Sequence, residues 1–141
     1  MSKLIWVDDD VNNPELRPDR EALEEKGHVL QCFSNITDFM NYFENKKHTE
    51  AYDGIIIDMM MPPGKVFDMK ESEYGGRTGF LLSKKVKVIP SLQNAKIIIY
   101  SIVNSQDLIN EYCGTDIHFL GKTELLSDEF VTEVEKILNS K

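Results

Sequence analysis

With 141 residues, 41% of them hydrophobic and 28% charged, the chain is long enough for one domain with a real core and has the balance of a soluble globular protein. Its 24 acids against 16 Lys and Arg leave a net charge of −8, which repels phosphate backbones and argues against direct nucleic-acid binding. No apolar run approaches the roughly 20 residues of a membrane span and no secretory pattern opens the chain, so no membrane association is expected.

Lys3-Leu4-Ile5-Trp6-Val7 reads as a first strand running into Asp8-Asp9-Asp10. A turn-rich stretch follows, then a helix that begins near Pro18, where a proline fits the first turn, and ends at Gly27 as a left-handed cap. His28–Phe33 is a second strand. Asn35 caps the next helix, with Asp38 favouring the positive end of its dipole; Ile36, Phe39, Met40 and Phe43 make one apolar face.

Gly54-Ile55-Ile56-Ile57 comes next, a β-branched run that suits a strand covered on both faces, and it ends abruptly at Asp58. Residues 63–78, with Gly64, Gly75 and Gly76, form an irregular excursion far longer than the usual βα loop of about 2–6 residues. Thr78 is expected to cap a helix whose Leu82, Val86 and Ile89 share a face and which Pro90 stops. Ala95–Tyr100 is a fourth strand ending at Ser101, Ser105–Cys113 a short helix closed by Gly114, and Ile117–Leu120 a fifth strand leading to Gly121-Lys122. A last helix carries Phe130, Val134, Ile137 and Leu138 on one stripe. Cys32 and Cys113 have no metal-ligand spacing and fit reduced core residues of a cytoplasmic protein.

Strand and helix alternate five times, which calls for a parallel sheet with helices on both faces, and in such sheets ligands bind beyond the carboxyl ends of the strands. Asp8, Asp9, Asp58, Ser101 and Lys122 all lie at those ends. Carboxylates about 4 Å apart repel by roughly 4 kcal/mol at an effective dielectric of 20, and the remedies are a proton or a bound cation. Oxygen ligands with room for water suit Mg²⁺, Lys122 adds a point charge, and Ser101 can donate to a phosphoryl oxygen. Asp58 can itself accept a phosphoryl group as an acyl phosphate.

Val7-Asp8-Asp9, Ile57-Asp58-Met59-Met60-Met61-Pro62, Gly79, Ser101 and Lys122, in this order and at these strand ends, resemble the receiver domain of two-component response regulators over nearly the whole chain. The resemblance implies a flavodoxin-like, doubly wound α/β sandwich of five parallel strands in the order 2-1-3-4-5, an order given for this fold in general. It implies one domain over residues 1–141, interrupted by the excursion at about 63–78. By position, Asp58 is the phosphoacceptor for a histidine kinase or a histidine phosphotransfer protein. Asp9, Asp58 and the Met60 carbonyl hold Mg²⁺, and Asp8 acts through water. Ser101 and Lys122 contact the phosphoryl group, and Phe119 takes the place of a rotating switch aromatic. Output then passes to a downstream protein by direct contact.

Three residues or segments depart from that pattern: the 63–78 excursion, Ile102 where a small residue is usual, and Thr123 where a proline commonly follows the lysine. Met60 and Val103, which flank the path of an attacking water by analogy, cannot orient one, so slow loss of phosphate is expected. Two other functions fit parts of the chain. Asp8-Asp9-Asp10-Val11-Asn12 has the two acids of the haloacid-dehalogenase phosphohydrolase signature D-x-D-x-[TV] but places Asn12 at its last position. A phosphorylation-independent binding module on the same fold is the other.

Overall fold

Five strands form one parallel sheet in the order β2-β1-β3-β4-β5, with β1 at Lys3–Val7, β2 at Val29–Phe33, β3 at Gly54–Ile57, β4 at Lys96–Ser101 and β5 at Ile117–Gly121. The computed structural model describes residues 2–44, 50–102, 110, 116–122 and 124–140. Of the helix expected over 105–113 only Asn110 is described; the rest of it, with Cys113 and Gly114, and residues His48, Val103 and Thr123 lie outside them. Among the described residues four α-helices accompany the sheet: α1 (Arg17–Glu25), α2 (Ile36–Glu44), α3 (Thr78–Lys85) and α4 (Ser127–Leu138). None of them is long and apolar enough to cross a membrane.

The isoleucines of β3 explain the layering. All three are fully buried, yet alternate side chains of a strand face opposite ways. Ile55 and Ile57 join Ile5, Val7, Ile97 and Ile99 in a core closed by Ile36, Phe39 and Met40 of α2 and Leu82 of α3. Ile56 points to the other face, with Leu4, Trp6, Ile98 and Tyr100, under Leu23 of α1 and Phe130, Val134 and Ile137 of α4. A strand apolar at every position therefore needs helices on both sides, as the sequence implied.

Local signals account for most element ends. The Asn35 side chain accepts a hydrogen bond from the Asp38 amide at 2.7 Å and donates to its carboxylate at 2.9 Å, capping α2. Gly27, at φ 88°, ends the turn after α1. Thr78 departs from expectation. It is the first residue of α3, is fully buried, and makes no cap; its hydroxyl donates instead to the Met61 carbonyl at 2.5 Å. The bond ties the start of α3 back to the exit of β3, because the intervening segment folds against that exit. Helix α3 ends at Lys85; Val86 continues in a 3-10 turn, and Pro90 opens a second one.

Gly79 shows how tightly the segment returns. Its amide donates to the Met59 carbonyl at 2.9 Å, and a Cβ on it would lie 2.7 Å from Met59 Cα and closer still to the Asp58 carbonyl. Backbone cannot yield as a flexible side chain can. Gly79→Ala is therefore expected to destabilise the fold by about 2–3 kcal/mol and displace the Asp58 peptide, measured as a lower urea midpoint.

Candidate acidic site at the strand ends

Strands β1 and β3 leave the sheet side by side. The Asp58 amide donates to the Val7 carbonyl and the Asp8 amide to the Phe33 carbonyl, both at 3.0 Å, so Asp8 and Asp58 are fixed by the last rungs of the sheet. Asp8 is fully buried and Asp58 is 5% exposed, whereas Asp9 and Asp10 are exposed. One Asp8 oxygen accepts from the Asp10 amide at 2.9 Å. The other, Oδ2, is ion-paired with the Lys122 ammonium at 2.7 Å.

Lys122 follows the end of β5 and its amide donates to the Ser101 carbonyl at 2.9 Å, which joins the β4 and β5 ends. Its ammonium also lies 3.5 Å from Asp58 Oδ1. Ser101 is fully buried at the end of β4. The structure thus brings Asp8, Asp9, Asp58, Ser101 and Lys122 to one end of the sheet. Phe119, the aromatic two strand positions before Gly121, is half-buried and packs against the α2–α3 core.

The electrostatics follow from crowding. Burial, then the neighbouring Asp8 charge, pushes the Asp58 carboxyl up to about 7, against an ordinary 3.8. Asp9, which shares a side-chain hydrogen bond with Asp58, is also raised, by burial and by the charges of Asp10 and Asp8. Burial alone lowers Lys122, but the Asp58 and Asp8 charges outweigh it and hold the ammonium above its usual value. With its carboxyl raised to about 7, Asp58 favours its protonated form below that pH, which relieves part of the repulsion.

A cavity of about 250 Å³ opens over this cluster, lined by Asp9, Asp58 and Lys122, with Met60 and Ile102 among its apolar walls. Met60 and Ile102 are 47% and 64% exposed, so Ile102 stands at the mouth instead of plugging the floor. Asp58 faces the cavity; Asp8 does not. That distinction bears on the phosphohydrolase alternative, which requires the first acid of the D-x-D pair to reach a substrate. Here the first acid is sealed beneath Lys122.

The residues fit a hard divalent cation. Oxygens of Asp8, Asp9 and Asp10 all lie within 4.8 Å of one another, an all-oxygen carboxylate cluster of the kind such a cation prefers. Asp10 is exposed and held in a turn, its carboxylate accepting from the Asn13 side chain at 2.9 Å, as its place in the sequence suggests. Glu15 was not foreseen: it lines the cavity from the turn before α1. Its only sequence signal is its acidity in a turn-rich stretch, and its approach to Asp58 arises from the return of the chain over the sheet end.

No family model and no curated protein matches the chain. Solved structures do. A two-component response regulator from Clostridium difficile superposes with a TM-score of 0.69 at 22% identity, over 99% of this chain and 100% of that one. The chemotaxis response regulator CheY4 of Vibrio cholerae gives 0.68 at 17% identity, over 97% and 98%. The receiver domain of DrrB from Thermotoga maritima, described as BeF3-activated, gives 0.66 at 20%, over 99% of each chain. Likeness at these identities is likeness of fold: this chain has the fold of response-regulator receiver domains.

Proposed function

We propose that the chain is a single receiver-like domain, with an excursion at about 63–78, that accepts a phosphoryl group on Asp58 and signals by protein–protein contact. The observation that carries the reading is that, of the two buried acids at the strand ends, Asp58 faces the cavity, with the Lys122 ammonium 3.5 Å from its carboxylate. The phosphodonor is a histidine kinase or a histidine phosphotransfer protein, and the output is contact with a downstream protein.

In this reading the ionised Asp58 carboxylate attacks phosphorus in line. A bond forms between its oxygen and phosphorus while the bond from phosphorus to the donor imidazole nitrogen breaks, the electron pair staying with the imidazole. Lys122, already oriented by Asp8, stabilises charge on the phosphoryl oxygens. Ser101 donates its hydroxyl to one of them, and Phe119 follows as the β4 and β5 ends repack. Asp9, Asp58 and the Met60 carbonyl would hold Mg²⁺ directly and Asp8 through water; the ion would supply charge neutralisation to the carboxylates and the phosphoryl group.

Incubation with acetyl phosphate and Mg²⁺ tests the acceptor. The expected result is a mass gain of one phosphoryl group in the wild type and none in Asp58→Asn; an equal gain in Asp58→Asn refutes the assignment. Lifetime is a separate test. Met60 stands 47% exposed at the cavity wall and offers water no hydrogen bond, so Met60→Asn should shorten the half-life of the phosphorylated form about tenfold. A longer half-life in that variant contradicts the placement of Met60 beside the water path.

A further inference from the structure

The segment between β3 and α3 builds a second cavity, of about 470 Å³, that phosphoryl chemistry does not use. Met60, Met61, Pro62, Met69 and Tyr74 supply its apolar wall, and Glu73, an exposed carboxylate 3.9 Å from the Arg77 guanidinium, is the only charged side chain among its described lining residues. Met60, Met69 and Tyr74 stay 47%, 49% and 76% exposed, which makes this an open groove, not an enclosed pocket. Exposed methionine and tyrosine of this kind are enriched at the centres of protein interfaces.

The groove is constructed by specific bonds. Ser72 is fully buried; its hydroxyl donates to the Met69 carbonyl at 3.1 Å and accepts from the Gly75 amide at 3.2 Å. The Tyr74 amide donates to the Met69 carbonyl at 2.7 Å, and the Met61 amide to the Gly75 carbonyl at 3.1 Å. Glu73 and Tyr74 hold φ of 52° and 58°, a left-handed region that side chains other than Gly and Asn rarely adopt. Two consecutive strained residues, neither Gly nor Asn, place a carboxylate and an aromatic ring at the groove, a pattern more common in binding segments than in plain connections.

We propose that this groove docks a basic amphipathic segment of a partner protein. One bulky apolar side chain of that segment seats among Met60, Met69 and Tyr74, and its Lys or Arg residues face Glu73 and the acids of the adjoining cavity, Asp9, Asp10 and Glu15. Charge complementarity selects this occupant: beside the apolar floor stand Glu73 and, in the neighbouring cavity, Asp9, Asp10, Glu15 and Asp58 against the single cation Lys122, on a chain of net charge −8. Met60 walls both cavities, so docking and occupancy of the Asp58 cavity bear on one side chain; that coupling, unlike the docking, rests on the phosphoacceptor reading.

The six methionines of the chain make the test direct, since Met60, Met61 and Met69 line the groove while Met40 is buried in α2. The full chain, labelled with ¹³C at its methionine methyls, is titrated with a helical Leu/Lys peptide and with a Leu/Glu peptide of identical apolar positions. The expected result is saturable shifts of the three groove methyls with Met40 unmoved, and at least tenfold weaker binding of the Leu/Glu peptide. Tyr74→Asn, which suits the left-handed backbone, should weaken Leu/Lys binding about tenfold, and Glu73→Gln about two- to fivefold. Absence of saturable shifts at millimolar peptide, equal binding of both peptides, or undiminished binding by Tyr74→Asn overturns the proposal. So do groove shifts on concentrating the protein alone, which assign the surface to a second copy, or shifts with indole and neither peptide, which assign it to a small ligand. The docking titration is run without phosphodonor or Mg²⁺, so a failure of docking and a failure of phosphorylation are read separately.

Discussion

Asp58→Asn is expected to stabilise the protein at pH 8 by about 2–4 kcal/mol while removing the proposed acceptor. The sign follows from burial. The folded-state carboxyl titrates at about 7 against an ordinary 3.8, so the native state binds a proton that the unfolded chain has released. The stability this proton confers is complete below about pH 4 and is lost as pH rises through about 7. At pH 8 the wild type holds a buried, ionised Asp58 against the Asp8 and Asp9 charges, and the neutral amide does not. Urea denaturation of both proteins between pH 4 and pH 8 checks this. The gap should widen with pH and shrink when Mg²⁺ is added, because a cation that binds only the folded wild type restores the stability. A gap that does not vary with pH contradicts the account.

Lys122→Ala is expected to act in the opposite direction, destabilising the fold by about 3–5 kcal/mol in the absence of divalent cation. The Asp8 carboxylate is fully exposure-free and has the ammonium 2.7 Å away; truncation leaves that buried charge without its counter-charge. Asp58 loses its favourable neighbour as well, so its carboxyl should titrate above about 7. Phosphorylation from acetyl phosphate should slow by about 10²–10³-fold, the usual loss when one preorganised donor is removed from a developing oxyanion. Lys122→Met, which keeps the stem but not the charge, separates packing from electrostatics. If Lys122→Met folds as stably as the wild type without metal and is phosphorylated at the same rate, the ammonium has no role in the site.

The sheet was legible because its signals are local and redundant. Ile55-Ile56-Ile57 and Ile97-Ile98-Ile99 are apolar at every position, each run stops at a polar residue, and parallel pairing then brings the stops together. The Asn35 cap is equally local, a side chain bonding an amide three residues on. Thr78 was misjudged because its partner, the Met61 carbonyl, is distant in sequence, and a threonine before an apolar run looks the same whichever carbonyl or amide it meets. The groove beyond Pro62 was hidden for the same reason: Ser72 and Gly75 read as loop residues until the Met61–Gly75 backbone bond closes the segment on itself.

Trp6 illustrates a more subtle limit. Its place two residues before Asp8 suggests a reporter of the site, and strand alternation does send both side chains to one face of the sheet. The ring is fully buried between Tyr100, at 5.9 Å, and Phe130, at 5.6 Å. The Tyr100 ring lies between this core and the site, 6.0 Å from the Lys122 ammonium, so repacking of Tyr100 is one route by which Trp6 would report on it.

Titration calorimetry with Mg²⁺ tests most directly whether these acids form a divalent-cation site. The wild type should bind one ion, release close to one proton at pH 6 and almost none at pH 8, and lose binding in Asp9→Asn. The proton count follows from an Asp58 carboxyl that titrates at about 7 and must ionise to meet the ion. Binding that persists undiminished in Asp9→Asn, or no binding at tens of millimolar Mg²⁺ at pH 8, would contradict it.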